Sequence, residues 1–198
     1  MNKSDIIITG VGGQGVILAS DIIGEAALAV GYDVKKTDTL GMAQRGGSVL
    51  SHVRIGPQVS SPLIKEGTAD ILLAFEKLEA ARCSHYLRPG AIAIVNNYAR
   101  PPLSVNLGIE QYPSDGEILA ILKRRTDRIY FIEGINWAER LGNMRMLNIF
   151  MLGCASVFLP LKVGTWQACI NQHISVSVQQ SNIAAFKQGR KEIRNVSL

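Results

Sequence analysis

Ile8-Thr9-Gly10-Val11-Gly12-Gly13-Gln14-Gly15-Val16 decides how the chain is read. Before it, a run over 5–9 centred on three isoleucines stops at Gly10, as a strand buried on both faces would. After it, from 14 to about 30, apolar residues recur at 16, 17, 19, 22, 23, 26, 27 and 30. That spacing makes a wide apolar stripe on a helix, and Gly31 is a natural stop. Strand, G-x-G-x-x-G and helix in succession form the context a phosphate-holding loop requires. One glycine permits the tight turn, another lets an anion approach the backbone, and a third allows close helix–strand packing. The helix start then offers unpaired N–H groups and about half a positive charge. Gly10, Gly12, Gly13, Gln14 and Gly15 are therefore candidate phosphate-, anion- or cofactor-binding residues. The competing reading is a tight turn with nothing bound; four glycines in six residues weigh against it.

Beyond this unit the alternation continues. Strands are expected over 33–37, 48–55, 71–75, 91–95 and 128–132. Helices are expected over 76–87 and 117–126, over 135–159 in one or two pieces, and over 166–174 and 179–189. Arg88-Pro89-Gly90 reads as a turn. Strands alternating with helices imply an α/β fold with three layers: a mostly parallel sheet, helices on both faces and a helical C-terminal extension. Residues 1–198 are read as a single domain.

Composition narrows the function classes. The 21 Lys and Arg against 16 Asp and Glu give a charge of +5, but the basic residues are dispersed. The runs around Lys123-Arg124-Arg125 and Lys187, Arg190, Lys191, Arg194 lack interleaved aromatics, so nucleic acid is not an expected partner. Cys83, Cys154 and Cys169 are widely spaced, with no C-x-x-C pair. That excludes a disulfide framework, points to the reducing cytoplasm, and leaves no metal or iron–sulfur ligand set expected on this chain. The first apolar run ends at Gly10, too early for a signal peptide. The most apolar stretch, 146–161, carries Asn148 and ends at Pro160, so it reads as a buried helix and no membrane association is expected.

A second glycine segment, Gly41-Met42-Ala43-Gln44-Arg45-Gly46-Gly47-Ser48, is unusual for a simple connection. Arg45 offers a fork for a carboxylate or phosphate, with Gln44 and Ser48 adding neutral hydrogen bonds. The plain alternative is a surface loop with a solvated arginine. Next to it, Val49, Ser51, Val53 and Ile55 alternate with Leu50, His52 and Arg54, so one of the two faces is a candidate contact surface. Glu76, Asn96 and Asn97 follow expected strands at positions where α/β folds carry functional groups, although a helix-start acid explains Glu76 equally. His52, His85 and His173 form no metal-ligand spacing, and Cys83 reads as an inert buried thiol.

Gly10-x-Gly12-Gly13-Gln14-Gly15, then Gly41-Met42-Ala43-Gln44-Arg45-Gly46-Gly47-Ser48-Val49, then His52-Val53-Arg54 resembles the gamma-type subunit of 2-oxoacid:ferredoxin oxidoreductases. Within that family it is most similar to the small beta subunit of indolepyruvate ferredoxin oxidoreductase. Asn143, Asn148, Leu152 and Gly153 add to the resemblance, which spans residues 5 to about 186. It implies an accessory subunit, with no catalytic residue on this chain alone, whose large partner carries thiamine diphosphate and iron–sulfur clusters. The complex would oxidatively decarboxylate aryl pyruvates to acyl-CoA and pass electrons to ferredoxin. Its two glycine segments would face the partner subunit, forming the interface or active-site entrance, or the coenzyme A and thiamine region. Isolated, such a chain could self-associate as a homo-oligomer. Two other readings stay open: a free-standing NAD(P)-dependent oxidoreductase using Gly10, Gly12, Gly15 and Asp38, with Lys35-Lys36 counting against it, and a nucleotide-binding module without catalysis.

Overall fold

Ile6, Ile7 and Ile8 are wholly buried because strand β1 (Ser4–Val11) runs through the middle of a six-stranded sheet. Ile6 and Ile8 point to one face and Ile7 to the other, as the two-residue period of a strand requires. Both faces must therefore be covered. The structure, a computed structural model, describes residues 3–41 and 46–196.

Helix α1 (Val16–Leu28) packs its apolar stripe on one face. The chain leaves it through Gly31, where φ is +87° and Tyr32 N–H bonds back to the Ala27 carbonyl. It then forms strand β2 (Asp33–Leu40) and returns as β3 (Ser48–Gly56). β4 (Ala69–Ala74), helix α2 (Lys77–Cys83), a 3-10 turn and β5 (Leu87–Asn96) follow. Next come the short α3 (Leu103–Asn106), α4 (Asp115–Lys123) and β6 (Arg128–Ile132). The remainder is helical: α5 (Gly134–Arg140), α6 (Leu147–Ser156), α7 (Val163–His173) and α8 (Val176–Val196).

The strand order is β2-β3-β1-β4-β5-β6. β1, β4, β5 and β6 pair in parallel, while β3 is antiparallel to both β1 and β2. Five strands thus share one direction, the mostly parallel sheet expected. α2 and α4 cover the face that carries Ile7. α1, α6, α7 and α8 cover the other, so the helical C-terminal region is a packed layer. Every residue of α6 is buried between the sheet side and α8. Gly153 and Gly189 allow that approach: a Cβ on Gly153 would lie 2.2 Å from the Phe186 carbonyl oxygen, and one on Gly189 2.0 Å from that of Phe150. No helix of the described residues is long and apolar enough to cross a membrane.

Several expected boundaries shift for physical reasons. Arg88-Pro89-Gly90 is not a turn ahead of the strand; it forms an irregularity within β5, where Gly90 takes φ +73° and the pairing register with β4 slips. The helix expected over 76–87 tightens after Cys83 into a 3-10 turn. The stretch 135–159 divides into α5 and α6, with a 3-10 turn over Met144–Met146 between them. Neither face of β3 is a free contact surface: Val49, Val53 and Ile55 lie in the core, and the other face is covered as well. His52 is only 3% exposed and accepts a hydrogen bond at Nδ1 from Ile64 N–H. Arg54 is tied to Asp5 and to the Ser61 and Leu63 carbonyls, so the chain after β3 folds over this face.

Candidate functional site

The glycine loop follows β1, at the carboxyl ends of the parallel strands, where open α/β sheets place their ligands. Gly10 makes the turn possible: a Cβ there would meet Gln14 Oε1 at 2.7 Å and Phe75 Cβ at 2.9 Å. Gln14 is the loop's internal brace. Its Oε1 accepts from Val11 N–H at 2.7 Å, and its Nε2 donates to the Phe75 carbonyl at 3.2 Å. Gly13 and Gly15 take φ +96° and +83°, backbone that favours glycine. Gly15 is also the N-cap of α1 and brings no side chain to it. The first helical bond is Ala19 N–H to the Gly15 carbonyl, so the N–H groups of Val16, Ile17 and Leu18 have no carbonyl ahead of them.

The two glycine segments meet. Gly12 N–H donates to the Gly47 carbonyl at 2.8 Å, and Gly41 N–H closes on the Ser48 carbonyl at 2.9 Å. Ser48 Oγ donates to the buried Glu79, which also receives Arg82 at 2.7 Å. Gly46 takes φ +88°. Met42, Ala43, Gln44 and Arg45 lie outside the described residues.

Gly13, Gln14 and Gly15 open into a cleft of about 680 Å³. Tyr98 and Arg100, from the segment after β5, and Arg145 to Asn148, where the 3-10 turn enters α6, also line it. His173 at the end of α7 and Val178 and Asn182 on α8 close the rim. Arg100, Arg145 and His173 line the cleft, and no aspartate or glutamate does among the described residues. His173 Nε2 lies 2.7 Å from Glu25 Oε2, whereas neither Arg100 nor Arg145 has an ion-pair partner among the described residues. With the α1 N-terminus, the cleft is electrically positive and can hold an anion. Ile135, Met144, Met146, Leu147 and Ile174 add an apolar wall.

Glu76 and Asn96, singled out in the sequence, shape this cleft from behind. Glu76, 1% exposed, caps α2 through Glu79 N–H, receives Arg100 N–H at 3.0 Å, and accepts from Tyr112 Oη. Burial, with the Glu76 carboxylate beside it, pushes the Tyr112 phenol well above its usual pKa. Asn96 donates to the Phe75 carbonyl and accepts from Gly134 N–H, while Asn97 bonds Glu133. Burial raises Cys83 to about 11, which keeps it a thiol near neutrality. Among the described residues no group of three or more His, Cys, Asp or Glu gathers to hold a metal ion. The dinucleotide reading loses its acid. β3 lies between β1 and β2, and Asp38 is held by Ser51 Oγ at 2.6 Å and Lys36 Nζ at 3.0 Å. The sequence alone does not mark Tyr98, Arg100, Arg145 or His173 as site residues; Asn148 carries a signal, as an amide in the most apolar stretch and as part of the family resemblance.

The chain is similar to known proteins along nearly its whole length. The indolepyruvate oxidoreductase subunit IorB of Archaeoglobus fulgidus is 36% identical over 189 residues, 94% of each chain. The keto/oxoacid ferredoxin oxidoreductase gamma subunit from Geobacter sulfurreducens superposes with a TM-score of 0.70 at 24% identity, covering 97% of this chain and 99% of that one. The 2-oxoglutarate:ferredoxin oxidoreductase from Magnetococcus marinus, solved with 2-oxoglutarate, coenzyme A and succinyl-CoA bound, matches with a TM-score of 0.77 at 19% identity. That match covers 98% of this chain and 32% of the longer one. These last two likenesses concern the fold alone. Residues 5–192 match the model of the pyruvate ferredoxin/flavodoxin oxidoreductase family, and the chain belongs to that family.

Proposed function

We propose that this chain is the small subunit of a 2-oxoacid:ferredoxin oxidoreductase acting on indolepyruvate or another aryl pyruvate, and that its cleft receives the phosphate end of coenzyme A. The observation that carries the reading is the glycine loop with its uncapped α1 start, opening into a cleft lined by Arg100 and Arg145 and by no acid among the described residues. The IorB relative supports the substrate class. The coenzyme A in the Magnetococcus marinus enzyme supports the ligand. The overall reaction joins a 2-oxoacid and coenzyme A to give acyl-CoA, carbon dioxide, a proton and two electrons, which pass to ferredoxin. Thiamine diphosphate and iron–sulfur clusters, supplied by a large partner subunit in the cytoplasm, would perform the decarboxylation and electron transfer. This chain's own residues bind and orient the thiol carrier. Leu103, Leu107 and Ile109, exposed by 71%, 64% and 73%, give the segment after β5 an apolar surface suited to that partner.

Co-expression with the large subunit, native purification and a ferredoxin-reduction assay test the reading. A stable complex whose indolepyruvate-dependent reduction requires coenzyme A is expected. Failure to associate, or a rate indifferent to coenzyme A, overturns it. A tight NADH titration of the isolated chain would favour a dehydrogenase instead.

A further inference from the structure

Asn148 is a polar residue where the fold otherwise places apolar ones. It sits in the first turn of α6, 8% exposed, beside the buried Leu147, Ile149 and Phe150. Its Oδ1 accepts from Ile149 N–H at 2.8 Å, which fixes the orientation of the amide. The Nδ2 then faces Gly15: a Cβ added there would lie 2.5 Å from it. Asn148 lines the cleft, and its Nδ2 has no hydrogen-bond partner among the described residues. The residue is nearly buried while this one donor is left open at the cleft, where a ligand oxygen can take it up.

Three sets of donors therefore belong to one cleft: the open N–H groups at the start of α1, Nδ2 of Asn148, and the guanidiniums of Arg100 and Arg145. Each of these nitrogens can only donate, the Asn148 oxygen being already taken by Ile149 N–H, so their common partner has several oxygens, negative charge and no donor of its own. A phosphate ester satisfies all three. We propose that Asn148 is a ligand-binding residue whose Nδ2 donates directly to a phosphate oxygen held at the α1 N-terminus. This rests on the reading of the cleft as a phosphate site. Gly15 then has a second purpose besides its left-handed backbone, since it keeps the path between amide and ligand clear.

Titration calorimetry on the full chain tests this, with inorganic diphosphate, coenzyme A and phosphate-free pantetheine as probes and Asn148→Ala and Asn148→Asp as variants. Thermal melting checks that each variant folds, and Asn148→Ser replaces any that does not. Asn148→Ala is expected to weaken diphosphate about tenfold, the loss of one hydrogen bond to a charged group. Asn148→Asp should weaken it further, because a carboxylate then faces the anion, while pantetheine responds to neither change. A purely structural role for Asn148 would not reproduce that order. If both variants hold diphosphate within twofold of the unaltered chain, the assignment of Asn148 is overturned and the cleft reading stands. If the unaltered chain binds pantetheine but not diphosphate, or binds neither, both are overturned.

Discussion

Gly15 and Asn148 come together from opposite ends of the chain: a Cβ on Gly15 would reach 2.5 Å from Asn148 Nδ2 and 2.9 Å from its Cβ. Gly15→Ala therefore meets two obstacles, a φ of +83° and a collision with a nearly buried side chain. We expect a loss of about 2–4 kcal/mol in urea unfolding, the left-handed backbone contributing about 1–2 kcal/mol and overpacking the remainder. Coenzyme A binding should weaken as Asn148 is displaced. Unaltered unfolding midpoints would show that α6 yields freely at this point.

The contact between α6 and α8 gives a sharper case. Gly189→Ala puts a methyl group 2.0 Å from the Phe150 carbonyl oxygen, with backbone rather than a mobile side chain in the way. The helices must separate, or the α6 carbonyl must turn from its helix. A loss of about 3 kcal/mol or more is expected, with Gly153→Ala similar. Circular dichroism melts of both variants check this, and the double variant should be less than additive because one separation relieves both clashes.

Local signals made the α/β framework legible. The isoleucines of β1, the stripe of α1 and the stop at Gly31 are each decided within a few residues, and each element stands where the sequence places it. Sheet order is not local. The antiparallel insertion of β3 between β1 and β2 depends on which edges pair after the hairpin forms. Lys35 and Lys36 agree with the outcome, since charged side chains suit an edge strand better than a central one, and β2 is an edge strand.

The same division holds for the cleft. Gly13, Gln14 and Gly15 were visible because a glycine loop before a helix has a meaning of its own. Arg100, Arg145 and His173 are ordinary surface residues in sequence and come to line one cleft only through the placement of the chain after β5, of the turn into α6 and of the end of α7. Glu76 and Asn96 looked like functional groups at strand ends, yet their hydrogen bonds are spent on Arg100 N–H, Tyr112, Phe75 and Gly134. They hold the walls.

Gln14 offers a separable test of loop shape. In Gln14→Glu, a second carboxylate oxygen replaces the amide that donates to the Phe75 carbonyl, setting two acceptors 3.2 Å apart. The bond from Val11 N–H can survive. About 1–3 kcal/mol of stability should be lost, and the added negative charge beside the cleft should weaken diphosphate more than Gln14→Ala does. Equal binding by the two variants would remove any electrostatic contribution from this position.

His52 supplies a prediction in pH. Desolvation by burial lowers its pKa below the usual histidine value, with the Asp38 carboxylate opposing in the smaller measure. Its Nδ1 must also stay unprotonated to accept from Ile64 N–H, since protonation would turn two donors against each other. The unfolded chain therefore takes up this proton at higher pH than the folded one, and stability rises with pH wherever that difference exists. The contribution is complete above about pH 6.5 and is lost as pH falls below it toward the folded-state pKa. Melting temperatures should fall between pH 7 and 5 more steeply for the unaltered chain than for His52→Asn, whose amide oxygen can accept from Ile64 without titrating. Parallel curves for the two proteins would place the acid sensitivity elsewhere.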